Sequence, residues 1–107
     1  MVRHLLRQIC DAILYLHQRQ IIHRDIKLEN ILLSEDGYSC KVKLADFGLS
    51  EQLVDGESTH RSRSGTREYQ APEIVEGRPY GRPSDIWSLG CLMFVVLTAE
   101  FPRFSSE

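Results

Sequence analysis

Over the first seventeen positions apolar residues return with a helical beat. Leu5, Ile9, Ala12 and Leu16 recur every three or four residues, and Leu6 and Ile13 widen the stripe. That spacing predicts an amphipathic helix from Met1 to about His17, with one face that must pack on something else. The beat then stops. A polar stretch from His23 to Asn30 follows, and Ile31-Leu32-Leu33 and Lys41-Val42-Lys43-Leu44 after it read as two short strands. Asp36-Gly37 between them is a turn signal, because glycine takes a positive φ without steric cost.

From Phe47 to Arg82 no period survives, and Gly, Ser, Thr, Arg and Pro are frequent. This predicts a long irregular loop with a short helical turn after Pro72, and a loop of that length in a compact domain is usually functional. Ser84 is placed to cap a final helix running to about Thr98. Gly90 inside that helix costs about 1 kcal/mol relative to alanine. Leu89, Cys91, Leu92, Met93, Phe94, Val95, Val96 and Leu97 cover every face of it, the pattern of a helix buried on all sides. One other long helix and a hairpin are too little to cover it. The 107 residues are therefore expected to be the middle of a larger body, and to self-associate if produced alone. The fold class expected is α+β, mainly α.

Composition narrows the picture only slightly. With 42% hydrophobic and 26% charged residues the chain has the make-up of one small globular domain. A formal charge of -2 and ten scattered arginines offer no basic face, so neither a nucleic-acid nor a membrane partner is expected. Cys10, Cys40 and Cys91 are odd in number, far apart and without a C-x-x-C pair. They suit the reduced thiols of a cytoplasmic or nuclear protein rather than a secreted one. Arg7 and Gln8 break the opening apolar run, against a signal peptide. The longest apolar stretch, Leu89 to Ala99, is too short to cross a bilayer.

The chemistry is concentrated in a few blocks. His23-Arg24-Asp25-Ile26-Lys27-Leu28-Glu29-Asn30 comes first, then Asp46-Phe47-Gly48, then Ala71-Pro72-Glu73. Taken singly they are weak signals: Asp25 and Asn30 read as turn residues bonding their own backbone, and Asp46-Phe47-Gly48 as a strand-end turn. Taken in order, the chain resembles the protein kinase family, whose H-R-D-x-x-x-x-N, D-F-G and A-P-E signatures they match. Gly65-Thr66-Arg67-Glu68-Tyr69-Gln70 leads into the third block in the family's manner, and Asp85-Ile86-Trp87-Ser88-Leu89-Gly90 resembles the start of the family's central helix. The resemblance runs over nearly the whole chain.

That resemblance implies transfer of the ATP γ-phosphate to a protein hydroxyl. Asp25 would orient the hydroxyl and accept its proton, and Asn30 and Asp46 would supply hard oxygen ligands for Mg²⁺. Lys27 would steady the transferring phosphoryl group, and Thr66 would hold Asp25 and Lys27 in line. The resemblance also implies structural roles: His23 stacking beneath Phe47, Gly48 completing its triplet, Glu73 in an ion pair with an arginine beyond position 107, and Asp85 bracing the catalytic-loop backbone. Asp85 alone would be a first-turn acid favoured by the helix dipole.

Lys27 two residues after Asp25, together with Gly65-Thr66, favours serine or threonine over tyrosine as acceptor. Glu29 is either a solvated surface glutamate or an attractor of basic substrate side chains. Arg24, before the catalytic aspartate, implies pairing with a phosphate on the segment Ser50 to Thr66. Ser58, Thr59, Ser62 and Ser64 are candidates there, with Ser62 in the usual position and an upstream kinase as the partner that modifies it.

No G-x-G-x-x-G occurs, and Lys27, Lys41 and Lys43, the only lysines, lie outside any V-A-I-K-like strand. By resemblance, residues 1–107 form a partial domain, with the nucleotide-gripping N-terminal lobe and the last helices expected to be absent. Well-oriented reactants can lower a barrier by about 7–11 kcal/mol, so the isolated chain is expected to be nearly inactive. The rival expectation is a non-catalytic fragment that binds partners or acts as a decoy.

Overall fold

The computed structural model describes residues 2–36, 39–53 and 65–103. Helix α1 (Val2–Gln18) carries the expected stripe and turns Ile9, Ile13 and His17, one turn apart, into the interior. It ends where Gln20 adopts a left-handed φ of 60°. The carbonyls stranded at that end find donors in a later segment. Leu53 N–H donates to Gln20 O at 2.6 Å, and the Gln52 side-chain amide reaches the carbonyls of Arg19 and Gln20.

Strand β1 (Ile21–Ile22) follows at once and leads into the polar stretch, which closes in a 3₁₀ turn at Leu28–Asn30. The expected hairpin is present as β2 (Ile31–Asp36) and β3 (Ser39–Leu44), antiparallel with Ile31 opposite Leu44 and Leu33 opposite Val42. The glycine of its turn signal, Gly37, lies outside the described residues. Helix α1 lies against β3, and Gln8 Oε1 accepts the Val42 N–H at 3.0 Å.

The segment expected to be irregular after Phe47 contributes β4 (Glu51–Gln52), which pairs antiparallel with β1, and a 3₁₀ turn at Arg67–Tyr69, neither of which was expected. The helical turn expected after Pro72 is present as α2 (Pro72–Val75). A two-residue strand is too short to show alternation, so only its pairing reveals it.

Helix α3 (Arg82–Thr98) starts earlier than expected, with Gly81 rather than Ser84 as its N-cap. Pro83 accounts for the difference: it needs no N–H partner in a first turn and brings its own helical φ. Ser84 therefore falls inside the helix, buried, with its hydroxyl on Glu73 Oε1 at 3.2 Å. The helix stops at Ala99, whose φ of 60° closes a left-handed cap.

Two apolar clusters hold these pieces together. Ile9, Ile13, Ile26, Tyr69, Leu89, Cys91 and Leu92 form the larger, between α1, the hairpin and α3. Ile22, Leu53, Ala71, Ile74 and Tyr80 form the second, and Trp87 packs against both. As expected, the other elements are too little to cover α3. Leu89 and Leu92 are covered, but Ile86, Phe94 and Leu97 are 51%, 41% and 64% exposed among the described residues.

Burial also sorts the thiols. Cys91 is 3% exposed and burial pushes its thiol above the ordinary value, whereas Cys10 is half-buried. Only the thiolate reacts, so iodoacetamide near pH 8 is expected to alkylate Cys10 well before Cys91. Peptide mass mapping over a time course checks the order, and earlier labelling of Cys91 would contradict the packing of α3.

Candidate active site

The polar stretch is a loop whose side chains bond one another and whose backbone is gripped from below. Buried Asp85, in the first turn of α3, accepts the His23 N–H on Oδ2 at 2.8 Å and the Arg24 N–H on Oδ1 at 3.0 Å. His17 Nε2, from the end of α1, meets the same Oδ2 at 2.9 Å. One carboxylate thus ties both long helices to the loop. Arg24 takes a φ of 74°, a conformation that costs a non-glycine residue about 1–3 kcal/mol and persists only where the surroundings hold it.

His23 links the loop to the Asp46-Phe47-Gly48 block. Its Nδ1 accepts the Asp25 N–H at 3.1 Å, which leaves Nε2–H to donate to Ala45 O at 2.8 Å. The bonds select that neutral tautomer. Phe47 meets the ring edge-on, centroids 5.0 Å apart at 68°, rather than stacking flat. A further backbone bond, Ala45 N to Asn30 O at 2.8 Å, brings the end of β3 beside the loop.

Around Asp25 the side chains form a closed set. Lys27 Nζ donates to Thr66 Oγ1 at 2.8 Å, and that hydroxyl faces Asp25 Oδ1 at 3.4 Å. Lys27 Nζ is 3.8 Å from Asp25 Oδ2. The Asn30 amide nitrogen donates to Asp25 O at 2.7 Å and to Oδ2 at 3.3 Å. Thr66 comes from a segment 41 residues away from Asp25, and Gly65 beside it shows how closely the two backbones approach. A Cβ on Gly65 would lie 2.7 Å from Arg24 O, at a φ of 94° that other residues rarely adopt.

With its nitrogen committed, Asn30 has its amide oxygen left as a ligand. Asp46 is exposed, with a φ of 55° and Oδ1 accepting the Gly48 N–H at 3.2 Å in a tight turn. A Cβ on Gly48 would come within 3.1 Å of that oxygen. An amide oxygen and a carboxylate fit magnesium, which is usually held by one or two protein oxygens together with substrate phosphates. Among the described residues no group of three His, Cys, Asp or Glu side chains offers a self-sufficient metal cage.

Several residues of the site escaped sequence reasoning. His17 was readable as a helix end, and its signal is position: it continues the buried Ile9–Ile13 stripe by one more turn as a polar residue. Tyr69 carries the loop from its other side. Its hydroxyl accepts the Leu28 N–H at 3.4 Å and its carbonyl accepts the Ser88 hydroxyl at 2.6 Å. Burial pushes the phenol above its ordinary value; the Leu28 bond opposes this and nearby Glu29 adds to it. Glu51 and Tyr80 meet the Arg24 side chain, and nothing in the local sequence marks either. Glu73 bonds Ser84, and Glu29 lies exposed at the surface. Ser58, Thr59, Ser62 and Ser64 lie outside the described residues.

The whole sequence, residues 1–107, matches the protein kinase domain family. It is 50% identical over 102 residues to the serine/threonine-protein kinase chk-2 of Caenorhabditis elegans, covering 94% of the chain and 21% of that protein. It is 45% identical over 103 residues to the serine/threonine-protein kinase PLK4 of Drosophila grimshawi, covering 96% of the chain and 13% of the relative. The corresponding kinase of Nematostella vectensis is 43% identical over 106 residues, 99% of the chain and 10% of the relative. The chain thus spans between a tenth and about a fifth of the length of these relatives. No helix among the described residues is long and apolar enough to cross a membrane.

Proposed function

The chain belongs to the protein kinase family, and from its catalytic loop we propose that it carries the phosphoryl-transfer centre of a serine/threonine kinase. The observation that carries the reading is the bonded set Lys27–Thr66–Asp25–Asn30. In it a hydroxyl from a distant segment bridges a carboxylate and an ammonium group, and an amide donates to the same carboxylate. Asp25, with a side chain 10% exposed, is the acceptor for the substrate hydroxyl's proton. Lys27 supplies positive charge beside it, and Thr66 fixes the spacing of the two. Asn30 and Asp46 would hold Mg²⁺, which would supply charge neutralisation to the phosphate oxygens of ATP. Asp85 and His23 are positioning residues that keep Asp25 and Asp46 in register.

Serine and threonine as acceptors are supported by Lys27 at its place in the loop and by the relatives, which are serine/threonine-protein kinases. Ser62 is proposed as a phosphorylation site for an upstream kinase, its phosphate pairing with Arg24. The 107 residues contain no glycine-rich phosphate loop, so they form part of the domain and alone transfer phosphate far more slowly than the native-length protein.

The test is phosphoamino-acid analysis after incubating native-length protein with Mg²⁺, labelled ATP and a mixed protein substrate. Label on serine and threonine is expected. Label confined to tyrosine, or none from a folded protein, would contradict the assignment.

A further inference from the structure

The Arg24 side chain lies against a pair of residues that the proposed phosphate transfer does not use. Arg24 Nη1 is 3.5 Å from Glu51 Oε2, and the two side chains are only 11% and 16% exposed. The Tyr80 hydroxyl reaches the same oxygen at 3.4 Å, and the Arg24 guanidinium sits 4.8 Å over the Tyr80 ring. Glu51 is the first residue of β4, paired with Ile22, immediately before the loop. Arg24 also carries a left-handed φ, and Asp85 grips its N–H. The strained residue next to Asp25 is therefore held at both ends, its backbone by Asp85 and its guanidinium by Glu51 and Tyr80.

We propose that Glu51 is a positioning residue: a built-in carboxylate that holds Arg24, and through it Asp25, in place before any phosphate is added to the activation segment. The inference deepens the kinase reading and rests on it. A carboxylate and a phosphate are both anions that a guanidinium can bind, so a phosphate on the 54–64 segment would share Arg24 with Glu51 or displace it. Glu51 thereby sets how far activity depends on that phosphate. The chain that carries Glu51 is tied separately to the end of α1, through the Gln52 side chain and the Leu53 N–H, so Leu53 reports on how firmly β4 is docked.

The experiment uses native-length protein, phosphatase-treated and separately phosphorylated, as wild type, Glu51→Gln and Tyr80→Phe. In the dephosphorylated state Glu51→Gln is expected to lower kcat about tenfold with little change in the KM for ATP, the scale of one charge-assisted hydrogen bond. Phosphorylation is expected to restore most of that loss. Tyr80→Phe keeps the ring under the guanidinium and is expected to give a smaller fall in the same direction. Hydrogen exchange supplies a readout independent of activity: the Leu53 amide is expected to lose protection in dephosphorylated Glu51→Gln and regain it on phosphorylation. Equal kcat and equal Leu53 protection in wild type and Glu51→Gln would overturn the proposal while leaving the kinase reading intact. Absence of phosphotransfer in both wild-type states would overturn the two together.

Discussion

Asp25→Asn in the native-length protein is expected to lower kcat by about 10²–10⁴-fold, the usual contribution of a positioned general base. The loss follows from valence as well as basicity. Asp25 Oδ1 faces the Thr66 hydroxyl and Oδ2 accepts from Asn30, so both oxygens are acceptors in the bonded set. An amide cannot take the substrate proton, and its NH₂ would point at one of those donors. Asp25 is not among the proposed metal ligands, so the KM for ATP is expected to stay close to wild type. Steady-state kinetics with a circular-dichroism control checks this. An Asp25→Asn enzyme retaining a tenth or more of the wild-type kcat would remove Asp25 from the role of base.

The second large effect is on folding. Asp85→Ala is expected to destabilise the protein by about 3–5 kcal/mol, the scale of breaking a buried charged network by removing one partner. It would strand the buried N–H of His23, that of Arg24 and the ring of His17 at once. Asp85→Asn discriminates the cause. Its shape is conserved, but both Asp85 oxygens accept from backbone N–H groups, so either orientation sets an NH₂ against a donor. Asparagine is therefore expected to lose most of the same stability, and a denaturant melt matching wild type would show that shape rather than charge matters at this position.

Helix α1 and the β2–β3 hairpin were legible from the hydrophobic pattern because each runs long enough to display its period. β1 and β4 were not, because two residues have no period and exist only as a pair joining positions 21–22 to 51–52. The start of α3 was misread because Ser84 looked like a cap, whereas Pro83 had already committed the backbone one residue earlier. The uniform apolar coat of α3 was real, but composition cannot say which faces find cover among these residues. In the site, Asp25, Lys27, Asn30 and Thr66 were named from motif order, and the bonded set brings these four together. His17 and Asp85 lie 68 residues apart, and Arg24 and Glu51 lie 27 apart. No local window contains such pairs, and both rest on chain topology that only three dimensions provide.

The most direct test of the account is where the metal and the acceptor hydroxyl go. In a crystal structure of the native-length protein with a manganese–ATP analogue and a serine peptide, an anomalous peak is expected in contact with Asn30 Oδ1 and the Asp46 carboxylate, at about 2.1 Å as for magnesium. The peptide hydroxyl is expected within hydrogen-bond reach of Asp25, with Lys27 and Thr66 still bonded beside it. A metal seated away from both Asn30 and Asp46, or a hydroxyl out of reach of Asp25, would contradict the assignment of this loop as a phosphoryl-transfer centre.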